Sequence, residues 1–197
     1  MKYPFCGPPS LGMGQILGIK EGNNVFSWFN GNVERDVVLL IHKARTGIRH
    51  ACRLLGLGSG TEVLAPAYNC GSEIDALLDS GASVVLYRID RCCKIDIEDL
   101  RSRITSKTKA IYVTHYFGFP QGMGEIRELC SIYKIYLIED CALSLFSSDG
   151  LKKLGDCGEI AVFSLPKTLP VPDGGVLVIN NPDIMQGPWH LTPPDRV

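Results

Sequence analysis

Short apolar runs alternate along this chain with segments whose apolar residues recur at helical spacing. The runs Glu62–Ala65, Ser83–Tyr87, Ala110–Thr114, Ile135–Ile138, Ile160–Ser164 and Val176–Ile179 have the length of strands, and helical patterns near 71–80, 96–103 and 123–133 separate the first four. Runs too apolar to keep a wet face, joined by helices, predict an α/β fold of three layers (α/β/α), a mostly parallel sheet covered by helices on both sides. Upstream, residues 37–55 read as a strand or buried turn running into an amphipathic helix that Gly56 and Gly58 close. Residues 1–35 are rich in Gly, Pro and Asn without sustained periodicity, which predicts an extended lead-in with one short helix. The expected organisation is thus a lead-in (1–35), one large domain (36–181) and a tail (182–197).

Composition narrows what such a domain does. The chain has 197 residues and a formal net charge of -1, so it can bury one sizeable core but has no basic field for nucleic acid or an anionic membrane. A small anionic ligand would have to be held locally. The eight cysteines (Cys6, Cys52, Cys70, Cys92, Cys93, Cys130, Cys141 and Cys157) are scattered without a CxxC pair. With four dispersed histidines they suggest neither a disulfide framework nor a zinc site, and those inside apolar runs are expected as small buried hydrophobes. No stretch reaches the roughly 20 apolar residues that span a bilayer, and MKYPFCGPPSLGMGQ at the start lacks the apolar run of a secretory leader. The expected location is the cytoplasm, with reduced thiols.

In a sheet of this kind ligands bind beyond the carboxyl ends of the strands. Those ends carry Pro66-Ala67-Tyr68-Asn69-Cys70, Thr114-His115-Tyr116, Glu139-Asp140, and Ser164 with Lys167. Asp140 directly follows the apolar run IYLI, which puts its carboxylate on the floor of a crevice where it needs a cationic or hydrogen-bonding partner. A helix N-cap is the alternative reading of the same residue. Lys167 is either a solvated loop lysine or, in a partly apolar crevice, a nucleophile toward carbonyls. Pro172-Asp173-Gly174-Gly175 favours the second reading, because paired glycines let backbone pass close to a ligand or take positive φ. At the start of the first long helix, Lys43-Ala44-Arg45-Thr46-Gly47 offers free N–H groups to an anion, or is simply capped by Thr46. The segment SLPK also fits the Ser-x-x-Lys of penicillin-binding enzymes, with Ser164 as nucleophile, but no Ser-Asp-Asn or Lys-Thr-Gly follows and the order of strands and helices differs.

Five segments in order, ARTGIRHACRLLGL, TEVLAPAYNC, RIDRCCKIDIEDLRSRITSKTKAIYVTHYFGFPQGM, YLIEDCALS and GDCGEIAVFSLPKTLPVPDGGVLVINN, resemble the DegT/DnrJ/EryC1/StrS family of sugar aminotransferases over about Ala44–Asn181. The resemblance implies the aspartate-aminotransferase-like fold and pyridoxal 5'-phosphate (PLP) as cofactor. It makes Lys167 the lysine that links covalently to PLP and Asp140 the partner of the pyridinium nitrogen. Ser164 and the backbone of Arg45 and Thr46 would hold the phosphate.

Cys70 stands where the family usually stacks an aromatic residue on the ring, and Leu143 where it has a glutamine near the ring hydroxyl. The implied reaction passes an amino group from glutamate or glutamine to a keto-sugar, expected to be nucleotide-linked, in polysaccharide or secondary-metabolite biosynthesis. A dehydratase variant of the family usually replaces the lysine with histidine, so Lys167 favours transamination. A homodimer is implied, with no nucleic-acid or membrane partner. Family members continue into a smaller C-terminal domain, and this chain ends soon after Trp189-His190-Leu191-Thr192-Pro193-Pro194. A catalytically incomplete relic that dimerises and binds PLP is therefore the alternative function.

Overall fold

The structure is a computed structural model that describes residues 26–29, 37–150 and 152–185. The sequence expectations for most of the lead-in and for the tail after residue 185 lie outside the described residues, as does Cys6. The elements in chain order are α1 (Phe26–Phe29), β1 (Val37–Ile41), α2 (Ala44–Leu54), β2 (Glu62–Pro66), α3 (Ser72–Leu78), β3 (Ser83–Tyr87), α4 (Ile97–Ser102), β4 (Thr108–Thr114), α5 (Met123–Tyr133), β5 (Tyr136–Asp140), β6 (Ser148–Asp149), β7 (Lys152–Lys153), β8 (Ile160–Ser164) and β9 (Gly175–Ile179).

The main sheet has seven strands in the order β1-β9-β8-β5-β4-β2-β3. All run parallel except β9, which pairs antiparallel with both β8 and β1. From β2 the chain goes to β3 on one side and then to β4 on the other, so the order of strands reverses between β2 and β4. A cleft opens outside the carboxyl ends at such a point.

Alternation along the buried strands fills both faces of the sheet. Val63 and Ala65, Ala110 and Tyr112, and Ile160 and Val162 face α2 and α3, packing with Ile48, Ala51, Cys52, Leu55 and Leu77. Leu64, Ile111, Val113 and Leu137 face the other way, against Leu100 of α4 and Met123, Ile126, Leu129 and Cys130 of α5. Farther along that second face, Ala161, Phe163, Val176 and Val178 pack with Phe29, Leu145, Leu154 and Leu165. The result is the three-layer α/β/α domain expected from the sequence.

Close packing fixes where α2 begins. A Cβ on Gly47 would come within 2.6 Å of Ile41 Cδ1, so a glycine is what lets the helix lie on the sheet. A Cβ on Gly175 would meet Ala44 N at 2.7 Å. The start of β9 therefore holds the first turn of α2 at the edge of the cleft.

Neighbouring residues of β5 send carboxylates to opposite faces. Asp140 points toward the cleft, while Glu139 is fully buried beneath the opposite face. One Glu139 oxygen accepts from the N–H groups of Cys157, at 2.7 Å, and Gly158; the other accepts from Gly155 N–H at 3.2 Å and lies 2.9 Å from His115 Nε2. His115 Nδ1 accepts from Gln121 N–H at 3.3 Å, so Nε2 carries the proton and donates to Glu139. This carboxylate ties the loop before β8 and the residue after β4 to the middle of the sheet.

Both oxygens of Glu139 face donors, so the isosteric Glu139→Gln must point its NH2 at N–H groups whichever way the amide turns. We expect it to lower stability by about 3 kcal/mol, read as a lower urea midpoint at unchanged slope. Glu128→Gln on the exposed face of α5 should change stability by under about 0.5 kcal/mol. Equal midpoints for the two variants would show that Glu139 is not an anchor.

Candidate active site

The carboxyl ends of β2, β4, β5 and β8 and the first turns of α2 and α3 surround one cleft with two lobes. Glu73, Asp140, Ala142 and Lys167 line both. The first lobe, about 170 Å³, is completed by Lys43, Ala44, Arg45, Ser164 and the turn Pro172–Gly174. The second, about 130 Å³, is completed by Tyr68, Asn69, Cys70, Thr114, Tyr116, Phe117 and Leu143.

The first lobe suits an anion. Lys43 precedes α2 without making a side-chain cap, and among the described residues the N–H groups of Ala44 and Arg45 have no partner. Thr46 N–H is already committed to Lys43 O at 2.9 Å, and Thr46 does not line the cleft. The amides available are thus one residue earlier than the pair singled out in the sequence, Arg45 and Thr46.

Ser164 and Lys167 are set by the register of the sheet. Ser164 ends β8 directly opposite Gly175 of β9, and Gly175 in turn pairs with Ile41 of β1. Past Ser164 the chain makes a single 3-10 turn, Leu165–Lys167, around the buried side chain of Leu165. Leu165 N–H donates to Gly174 O at 3.0 Å, and Gly174 N–H to His42 O at 2.9 Å. Gly174 has φ +122°, a conformation that favours glycine. Lys167 itself is exposed to the cleft. Among the described residues no hydrogen bond joins Ser164 to Lys167, so the serine lacks the adjacent base that an acyl-transfer nucleophile needs.

Asp140 forms the floor. Only 7% of it is exposed; Oδ2 accepts from the Tyr112 hydroxyl at 2.8 Å and Oδ1 from Ala142 N–H at 2.8 Å. The bond to Ala142 is cap-like, but a succession of turns follows instead of a helix. Burial pushes the Asp140 carboxyl above the usual carboxylate range, and the nearby Glu73 adds to this, against the Ala142 N–H, the Tyr112 hydroxyl and Lys167. Burial and Asp140 raise the Tyr112 phenol well above its ordinary value, so it stays a donor.

Cys70 is exposed at the rim of the second lobe, where its thiol donates to Glu73 Oε2 at 2.6 Å. Aromatic surface in this lobe comes from Tyr68 and Tyr116, with ring centroids 5.3 Å apart and the Tyr116 hydroxyl donating to Tyr68 O at 2.6 Å. Leu143 presents an apolar side chain to the same space.

Sequence reasoning passed over Glu73 and Tyr112. Glu73 had one local signal, a glutamate at capping-box reach from the loop N–H that it accepts, Cys70 N at 3.0 Å. Tyr112 had none, because its role depends on lying one strand away from Asp140.

His115, Glu139 and Cys141 bring potential metal-binding atoms within 4.8 Å of one another. Both oxygens of Glu139 and both nitrogens of His115 are used in hydrogen bonds. Burial raises the Cys141 thiol well above its ordinary value. The trio is an internal fastening, with no lone-pair set presented to a cation.

Comparison with known proteins agrees with this architecture. Residues 29–190 match the DegT/DnrJ/EryC1/StrS aminotransferase family. The GDP-perosamine synthase of Vibrio cholerae is 32% identical over 138 residues, which are 68% of this chain and 37% of that protein. The GDP-perosamine synthase of Escherichia coli O157:H7 is 29% identical over 177 residues, 87% of this chain and 49% of that protein. The chain thus spans about half or less of the curated relatives it matches. Among solved structures, the aminotransferase TlmJ of Streptoalloteichus hindustanus superposes with a TM-score of 0.74 at 26% identity, over 81% of this chain and 44% of that one. The match over most of the sequence, on a sheet with this strand order, places the chain in the DegT/DnrJ/EryC1/StrS aminotransferase family.

Proposed function

We propose that this domain binds PLP and serves the transfer of an amino group from glutamate or glutamine to a nucleotide-linked keto-sugar. The observation that carries the reading is the convergence on one cleft of an exposed lysine, a buried carboxyl and a cationic helix N-terminus. Relatives named for GDP-perosamine, a nucleotide-linked amino sugar, support the substrate class.

The residues fit the parts of the cofactor. Lys43 and Arg45, the N–H groups of Ala44 and Arg45 and the Ser164 hydroxyl would hold the phosphate. Asp140 would accept the ring N–H. Its proton affinity suits that role: burial, which Lys167 offsets only in part, favours the neutral form, and a pyridinium would supply a second positive charge. Tyr112 and Ala142 keep the carboxylate aimed. The aromatic walls of the second lobe, with Cys70 at its rim, would flank the ring and exclude water from one side.

When bound, the cofactor acts as an electron sink for the substrate carbon. Lys167 Nζ would provide both the covalent attachment and, once displaced by the amino donor, the base that moves a proton between substrate and cofactor carbons.

Self-association belongs to the proposal. Tyr68, Phe117, Phe119 and Phe146 are all exposed large apolar residues, and a homodimer would cover such surface. Cytoplasmic residence is supported by Cys52, Cys130 and Cys141, free and buried as small apolar groups. Among the described residues no helix is long and apolar enough to cross a membrane.

Adding PLP should produce a visible absorbance band, and borohydride should then fix the label on the Lys167 peptide. A label on Lys152 or Lys153 would assign the cofactor elsewhere.

Asp140→Asn should slow the half-reaction with an amino donor by orders of magnitude, since a neutral amide cannot hold the ring nitrogen protonated. The cofactor-free variant should nonetheless be more stable than the parent at neutral pH. The sign follows from a folded-state pKa raised above the unfolded value of about 3.9. The native state binds that proton more tightly, so ionisation costs stability as pH rises through the window between the two values. The advantage of the variant should close as pH falls back through that window in chemical denaturation. A variant that is less stable throughout, with full half-reaction rate, would make Asp140 structural.

Sedimentation should show a dimer at micromolar concentration. A stable monomer would remove the homodimer from the proposal.

A further inference from the structure

Thr114 ends β4 as the strand partner of Asp140, so it stands beside the floor of the cleft. Side-chain alternation turns it to the same face as Tyr112, whose hydroxyl serves Asp140. It lines the second lobe and is only 8% exposed. Its Oγ1 is buried and has no hydrogen-bond partner among the described residues. Leaving a buried hydroxyl unpaired costs free energy, so such an atom marks a place where a partner is missing.

The other polar side chains around the lobe are engaged elsewhere. Asn69 donates to Pro66 O at 3.0 Å and accepts from Gly71 N–H at 2.9 Å. The Cys70 thiol donates to Glu73, and both oxygens of Asp140 are taken by Tyr112 and Ala142. Tyr116 is a near neighbour: burial above all raises its phenol, and Thr114 acts to lower it. The proton of that phenol nevertheless goes to Tyr68 O at 2.6 Å, and Thr114 gains no bond from it. Leu143, across the same space, offers no polar atom. A step of χ1 between staggered positions swings Oγ1 without moving the strand.

The first lobe decides which edge of PLP would come here. On the pyridine ring the nitrogen lies opposite the carbon that Lys167 would attack. That carbon has the phosphate-bearing arm on one side and the ring hydroxyl on the other. With the nitrogen at Asp140 and the phosphate at the start of α2, the hydroxyl edge would turn to the second lobe.

We propose that Thr114 is a cofactor-binding residue whose side-chain hydroxyl donates to the ring oxygen of PLP in the second lobe. This rests on Lys167 being the cofactor lysine. The proton stays on Thr114, and no covalent bond forms or breaks. Its effect is on charge: the ring oxygen also shares the proton of the linking nitrogen, and a second donor favours the oxygen's anionic form without that proton. Thr114 thereby eases loss of the proton from the linking nitrogen.

Thr114→Val keeps the shape and removes the hydroxyl, whereas Thr114→Ser keeps the hydroxyl. In the cofactor-free full chain, Thr114→Val should leave the urea midpoint unchanged or raise it, because a methyl replaces an unpaired hydroxyl. PLP should bind Thr114→Val about three- to tenfold more weakly than the parent, with borohydride still placing the label on Lys167. The pH midpoint of the visible band should rise by about half a unit to one unit. Thr114→Ser should recover most of both changes. An analogue of PLP without the ring hydroxyl should bind Thr114→Val and the parent alike, since the contact is then absent from both.

Equal PLP affinity and equal midpoint, with the label on Lys167, would overturn the role of Thr114 and leave the cofactor lysine standing. A loss of affinity that persists with the analogue would overturn the assignment to the ring oxygen. A cofactor-free Thr114→Val that is less stable than the parent, or does not fold, would show that the hydroxyl is already in use, and the proposal would fail. A parent with no label on Lys167 would overturn the reading of Lys167, and with it the role assigned to Thr114.

Discussion

The buried carboxylate of Glu139 is the fastening on which the rest of the cleft depends. A charge at the centre of a sheet is tolerated only when hydrogen bonds replace its water. Here the replacements are three backbone N–H groups from the loop before β8 and the Nε2–H of His115. Satisfying Glu139 therefore fixes the entry to β8, which ends in Ser164 just before the turn that carries Lys167, and the exit from β4, which carries Thr114 and Tyr116. Because side chains alternate along a strand, the same geometry turns the next residue, Asp140, to the opposite face. Adjacent carboxylates thus have unlike tasks: Glu139 is saturated and holds the frame, whereas Asp140 has two bonds and room for a cationic partner.

That contrast sets the electrostatics of the site. Asp140 is kept in a state that disfavours its own charge, a local cost that a ligand bearing a positive ring nitrogen would relieve. Glu73 is kept in the opposite state by bonds from its own loop and by Lys167. With both carboxylates lining the cleft beside Lys167, a bound cation would find a counter-charge that the lysine does not already face alone. The arrangement separates the acid and base roles by environment, since the carboxyl groups themselves are chemically alike.

Much of the frame was legible in the sequence because it rests on local pattern. Buried strands show as apolar runs whatever their partners, so β3 and β8 fall on the expected residues, and β2, β4, β5 and β9 differ only at their ends. β5 was expected to stop at Ile138 and runs on to Asp140, because Glu139 and Asp140 look polar along the chain but are buried and paired with Val113 and Thr114. What the pattern could not carry was the partner of each polar group. Tyr112 reads as a core aromatic until β4 lies beside β5, and Glu73 reads as a first-turn acid until the cleft closes over it. Thr46 looked available because its N–H belongs to a helix start; only the bond to Lys43 O shows that this amide is already in use.

The reversed strand explains why the glycine pair after Lys167 belongs to the site at all. Had β9 run parallel to β8, its start would lie at the opposite end of the sheet from Ser164. Running antiparallel, it begins at the cleft, with Gly175 paired to Ser164 on one side and to Ile41 on the other. That row brings β8, β9 and β1 together at the point where α2 starts, and the missing side chain of Gly175 lets Ala44 N approach. A side chain at residue 175 would push the first turn of α2 outward and move the free amides of Ala44 and Arg45 away from Ser164. The phosphate-sized lobe thus exists because one strand is reversed and its first residue has no Cβ, so the turn that presents Lys167 and the helix that would bind an anion are fixed by the same backbone position.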